Sequence, residues 1–262
     1  MVFEILYYEG KRRLRSSTVL TILFSALALF YISFFPSVKE MGEEMMAGLP
    51  DAVIEMFGGL GAFTTIEGYL AAEVYIIFWT VFVGIYFAYS AANLIVNDIQ
   101  KEKMDLVLSY PVSRRQIIIE KTSAFGVPLL LLNAVVPVAI YIGISLIGET
   151  IEPLRLVMVH LLSIPYLLVC IAIGLFLSVV VDRAKIARYA SIGAIFGLYL
   201  ISNIISMAKN FEWIGLITPS HYFDPPKILR QATYNYTNAT ILLIAFFVIF
   251  IASMEIFKRK DI

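Results

Sequence analysis

Along the chain, long apolar runs alternate with short segments that carry most of the charge. Six runs reach the roughly 20 mainly apolar residues that a helix needs to cross a bilayer core. They are Thr18 to Phe35, Leu70 to Val96, Phe125 to Ile147, Leu156 to Val181, Tyr189 to Met207 and Thr240 to Phe257. The second is long enough to tilt or to extend beyond the bilayer. Pro128, Pro137 and Pro165 fall inside the third and fourth runs, where neighbouring helices and water can satisfy the freed carbonyls. The expected fold is all-α, a single transmembrane domain over 1–262.

Composition narrows the class. Hydrophobic residues make up 60% of the 262 and charged residues 15%, with a mean hydropathy of +0.85. A soluble domain is roughly 45–50% apolar and about 25% charged. So apolar a chain excludes an ordinary soluble enzyme and also excludes disorder. The single cysteine, Cys170, sits in an apolar run, so no intrachain disulfide forms and a cysteine-based metal site lacks partners. The first run has no small-residue cleavage site after it and ends at Phe34-Phe35-Pro36, which reads as a retained span rather than a signal peptide.

Net charge is zero, with 20 basic and 20 acidic residues, and no basic field points to nucleic acid. The distribution of charge matters more. With the N-terminus inside, fifteen of the 20 basic residues fall on inner segments. This bias places both termini in the cytoplasm by the positive-inside rule. A multi-pass protein of the cell membrane is expected, taken as a prokaryotic plasma membrane.

The outer segments add amphipathic and aromatic character. Glu40 to Phe57 places Met41, Met45, Met46, Leu49, Val53, Ile54 and Phe57 at helical spacing, broken at Leu49-Pro50, which predicts one or two short amphipathic helices lying on the outer face. Trp213, Tyr222, Phe223, Tyr234 and Tyr236 lie between the fifth and sixth spans and suit an interfacial aromatic belt.

The inner segment from Asn97 to Lys121 is the most informative. Its charges at Asp98, Lys101, Glu102, Lys103 and Asp105 flank an apolar stripe of Met104, Val107 and Leu108. The pattern predicts that the second span continues below the membrane as an amphipathic helix, which Pro111 stops. Ser113 with Gln116 fits a capping box that starts a new helix at Arg114. The expected product is a helix, a turn and a helix projecting into the cytoplasm, where it can receive a push from a soluble partner. A plain solvated loop is the alternative.

Met104-Asp-Leu-Val-Leu-Ser-Tyr-Pro-Val-Ser-Arg-Arg115, followed by Ile117, Ile118 and Lys121, resembles the signature between spans 2 and 3 of permease subunits of ATP-binding-cassette (ABC) transporters of the type 2 exporter class. Glu102-Lys103 stands where the family has Gly-Thr. Phe3 to Arg15, with Phe3, Leu6 and Tyr7 on one face, resembles the family's amphipathic N-terminal elbow helix, and the end at Phe257-Lys-Arg-Lys-Asp-Ile262 resembles its basic tail.

The resemblance implies two permease subunits, identical or paralogous, paired with two ATPase subunits. The inner elbow would dock into a groove on the ATPase, and the direction would be export. Carried onto this chain, the ATPase contacts are Glu102, Asp105, Pro111, Arg114 and Arg115, with charged rim residues setting specificity and encounter rate. Arg114 and Arg115 also have a plainer reading, as topology-enforcing charges. The chain has no Gly-x-x-x-x-Gly-Lys-Ser/Thr loop, so ATP and Mg belong on the partner, and no cofactor is expected here.

Other chemistry finds little support in the sequence. His160 and His221 are too few and too far apart for a recognisable metal site, and Met41, Met45 and Met46 read as packing rather than soft-metal ligands. The middles of the spans lack Asp, Glu, Lys and Arg, which argues against an ion-coupled transporter. Asn93, Asn133, Ser145, Ser163, Ser178 and Asn203 can line a pathway or join helices. No catalytic constellation is visible. Asn235 and Asn238 begin glycosylation sequons on the expected outer side. The reading is thus a permease forming the pathway for a lipid-like, drug-like or peptide cargo. Its rival is a membrane anchor that recruits a cytoplasmic partner without moving anything.

Overall fold

A computed structural model describes residues 4–46, 64–206 and 212–260. Among them the chain is helical, without strands, and six helices are long and apolar enough to cross a membrane. The first, α1 (Glu4–Met46), is unbroken over 43 residues. The second crossing is compound: α2 (Ile66–Leu70), a π-helical segment (Ala71–Val83) and α3 (Gly84–Ala91). Then follow α4 (Val96–Gln100), α5 (Lys103–Leu108) and α6 (Arg114–Ser123). The remaining crossings are α7 (Gly126–Leu146), α8 (Pro153–Val180), α9 (Ala184–Ser206) and, after short helices at Glu212–Gly215 (α10), Pro219–Tyr222 (3-10) and Pro225–Gln231 (α11), the last helix α12 (Tyr236–Arg259).

Five of the expected spans fall on these helices within a few residues, the expected end at Met207 lying outside the described residues, whereas α1 begins 14 residues before Thr18 and ends 11 beyond Phe35. Helix α8 is the hub: it packs against α12, α3, α9, α7 and α11. Its close approach to α3 depends on Gly174, where a Cβ would stand 2.1 Å from the carbonyl oxygen of Ala88. Small residues permit such backbone contact between membrane helices.

Four expectations are corrected. Helix α1 does not end at Pro36 but passes through it. Proline removes the hydrogen bond to the carbonyl of Ile32 and crowds the preceding turn, but the turn is held from outside: the Tyr69 hydroxyl donates to the neighbouring carbonyl of Tyr31 at 3.1 Å, and Phe35 packs on the Tyr69 ring. Beyond the proline, Lys39 pairs with Glu149 at 2.8 Å. Residues 40–46 of the expected surface helices therefore belong to α1, and the rest lie outside the described residues.

The same continuity removes the separate N-terminal elbow helix. Residues 4–15 extend α1, and their packed side carries Glu9, Gly10 and Arg13, whereas Tyr7 is 72% exposed. Phe3 lies outside the described residues.

Nor does the second span continue as one amphipathic helix. It breaks at residues 92–95, where Ser178 Oγ accepts from the backbone N–H of Ile95 (2.9 Å) and Val96 (3.2 Å). These bonds satisfy donors that the break releases.

Finally, the aromatic belt is split. Trp213 and Tyr236 are exposed, but Phe223 is buried and stacks on Tyr166, halfway along α8, with centroids 5.6 Å apart. The segment between α9 and α12 thus folds back against the bundle, with Ile228 and Leu229 also buried.

Candidate functional site

The elbow between the second and third crossings is a formed object. Helix α5 follows Glu102, whose φ of 55° places it in the left-handed region. Glycine adopts that conformation at least cost, which is a physical reason for the glycine of the resembling signature at this place. The buried Met104 anchors α5 to the core, with Val107 and Leu108 half-buried beside it. Pro111 lies in the bend before α6. Ser113 caps α6, its hydroxyl oxygen accepting from Gln116 N–H at 3.1 Å, and the helix starts at Arg114 as the spacing predicts. The reciprocal half of the capping box is not made, because Gln116 Nε2 donates instead to Glu120 at 2.7 Å.

The five residues proposed from the sequence do not share one surface. Glu102, Asp105 and Pro111 are exposed around the tip. Arg114 turns toward the end of α12, donating to the carbonyls of Phe257 (3.1 Å), Lys258 (3.4 Å) and Lys260. Arg115 pairs with Glu255 at 2.7 Å. What the tip also presents, and the sequence reading missed, is apolar: Leu106 is 68% exposed and Tyr110 is 59% exposed. The signal for Leu106 was α5 itself, which has apolar residues on two sides; burial of Met104 selects the side that faces inward.

Under the tip lies a cavity of about 350 Å³, bounded by Ile5, Tyr8, Leu106, Val107, Tyr110 and Val112 and floored by Glu9, Asp98 and Lys121. The floor is ionic and buried. Lys121 Nζ meets Glu9 at 3.2 Å and also pairs with Asp98, while Glu120 accepts from the backbone N–H of Leu6 at 3.1 Å. Arg13 stacks its guanidinium over the Phe125 ring, 3.9 Å from the centroid.

Within the bundle, polar groups mostly satisfy one another. His160 is buried, and its ring nitrogens hydrogen-bond to the Tyr75 hydroxyl (2.9 Å) and to Asn133 Oδ1 (3.3 Å), on which Ser163 Oγ also donates (3.2 Å). The Tyr166 hydroxyl donates to the Thr80 carbonyl at 2.8 Å. Asn133, Ser163 and Ser178 therefore join helices, whereas Asn93, Ser145 and Asn203 bond to carbonyls of their own helices. Asn235 caps α12, accepting from Asn238 N–H at 3.0 Å. Among the described residues no group of three or more His, Cys, Asp or Glu is placed to hold a metal ion.

Comparison with known proteins agrees with this architecture. No curated protein matches the chain. The family model of the ABC-2 family transporter protein matches residues 8–262, which covers all six crossings and the elbow. The chain therefore belongs to the ABC-2 transporter family, as a multi-pass membrane component of an ABC transporter and not as its ATPase.

Proposed function

We propose that the chain is an exporter subunit whose elbow docks on a separate ATPase, and that two such permeases form the pathway. The observation that carries this reading is the elbow tip: Leu106 stands exposed on a short helix that the buried Met104 fixes to the core, and Tyr110 stands exposed in the bend after it. Exposed apolar side chains beside the charges of Glu102 and Asp105 suit a protein partner, with the apolar pair supplying affinity and the rim charges guiding encounter. The ATPase would hold ATP and Mg. Its closure on nucleotide would draw the elbows together and shift the permeases between conformations, which requires that nucleotide favour one of them. The start of α1, the elbow and the basic end of α12 share one end of the bundle, and their positive charge suits a cytoplasmic end. The mainly apolar spans favour a lipid-like, drug-like or peptide cargo.

The test is co-purification with an ABC ATPase encoded beside this chain's gene, where one is found, or otherwise with candidate ABC ATPases of the same cell, followed by ATP hydrolysis in lipid discs. The double variant Leu106→Asp/Tyr110→Ser is expected to lose association at least tenfold while melting within about 2 °C of the wild type, because it alters only exposed side chains. Undiminished association of the variant, or no association of the wild type, overturns the reading. Association without any effect on hydrolysis moves the anchor reading ahead.

A further inference from the structure

Both crossings that flank the elbow depart from regular helix where they meet it. The second breaks at residues 92–95, and the third turns more tightly at residues 124–125, where the backbone stays in the right-handed helical region. A departure from regular helix transmits an axial push less well than an unbroken one. Helix α1 is not interrupted; it runs from beside the elbow to the far end of the bundle, where Lys39 pairs with Glu149.

The elbow is bound to α1 through two consecutive residues of α6. Glu120 holds the backbone N–H of Leu6 at 3.1 Å, and Lys121 reaches Glu9 at 3.2 Å. Lys121 also pairs with Asp98 of α4, on the other arm of the elbow. One ammonium, 3% exposed, thus joins three separate parts of the chain, and its carboxylate partners are themselves 3% and 8% exposed. Separating buried opposite charges is costly because little water is present to replace the partner. Displacing the elbow without α1 would require that separation.

We propose that Lys121 is a positioning residue that clamps the elbow to α1, so that the two move as one body and α1 carries elbow displacement across the membrane. This rests on the reading of the elbow as the ATPase-docking element. Removing Lys121 alone leaves the buried carboxylates of Glu9 and Asp98 without their shared cation, whereas neutralising all three removes the charges that meet there and costs Glu9 only its 2.7 Å pairing with the half-exposed Arg12. The triple variant Glu9→Gln/Asp98→Asn/Lys121→Met therefore releases the clamp with the least damage to the fold.

The experiment places spin labels at Lys11→Cys and Lys101→Cys in a Cys170→Ala background and measures their separation in lipid discs with the ATPase, nucleotide-free and nucleotide-trapped. With the cluster intact, one narrow distance unchanged between the two states is expected. The triple variant is expected to broaden the distribution at least twofold and to show a nucleotide-dependent shift, and Lys121→Arg is expected to stay narrow. A wild-type distance that changes with nucleotide, or a triple variant as narrow as the wild type, overturns the proposal. Should the triple variant not fold, amide hydrogen exchange in the unaltered complex decides: nucleotide trapping is expected to alter residues 6–17 and 114–123 together, and a change confined to one stretch overturns it. If no ATPase associates, the docking reading fails, while the comparison of distance widths in the permease alone still tests the clamp.

Discussion

The guanidinium of Arg114 donates to the carbonyl oxygen of Phe257 at 3.1 Å, so the head of α6 is tied to the last turn of α12. Carbonyls at a helix end lack intrahelical partners, and a cation placed there satisfies them and complements the helix dipole. Replacing Arg114 with alanine is expected to destabilise the protein by about 1.5–3 kcal/mol, the scale of a charged hydrogen bond. The check is thermal unfolding in detergent. A loss of ATPase association without a change in melting would instead return Arg114 to the docking surface.

Arg115 contrasts with its neighbour. Its partner Glu255 is reached at 2.7 Å, but both side chains are substantially exposed, at 57% and 36%. Such a pair contributes less than about 1 kcal/mol and is screened by salt. Arg115→Ala is expected to shift melting slightly at low ionic strength and not at all in half-molar salt, as a salt series of melts would show.

Gly174 is expected to tolerate no side chain. Its virtual Cβ meets the backbone of Ala88, which cannot swing aside as a side-chain tip would. Gly174→Ala should cost about 2 kcal/mol or more through overpacking. Gly197 has nothing within 4 Å of the same position. Gly197→Ala should be neutral or stabilising by up to about 1 kcal/mol, because alanine restricts the unfolded chain and favours helix. Similar melting of the two variants would mean that α3 and α8 do not cross at Gly174.

The returning segment before α12 rests on Phe223. Phe223→Ala should cost about 3–5 kcal/mol, as for other buried aromatics. Tyr166→Phe keeps the stacked ring and loses the hydroxyl's bonds to Thr80 and Cys170, a change of about 1–2 kcal/mol. Equal losses in the two variants would show that the hydroxyl bond, rather than the ring, holds the segment.

The sequence by itself determined the number of crossings, their approximate limits, the clustering of basic residues in alternate connecting segments, and the start of α6 at Arg114. Each depends on local features: a run of apolar side chains long enough to span a bilayer, or a serine three residues before a free backbone donor. The elbow was legible for the same reason, as a proline and a cap set beside a short amphipathic stretch. Tertiary structure alone decided that α1 passes through Pro36, that the second crossing breaks before the elbow, that Phe223 stacks on Tyr166, and that Leu106 and Tyr110 stay exposed beside the cavity under the tip while Arg114 turns to Phe257. It also decided that Lys121, which the sequence offered only as one positive charge among many, is buried between Glu9 and Asp98. These outcomes depend on which helices become neighbours. A buried ion pair or a satisfied carbonyl is a relation between distant positions, and the linear order of residues does not state where the partner is.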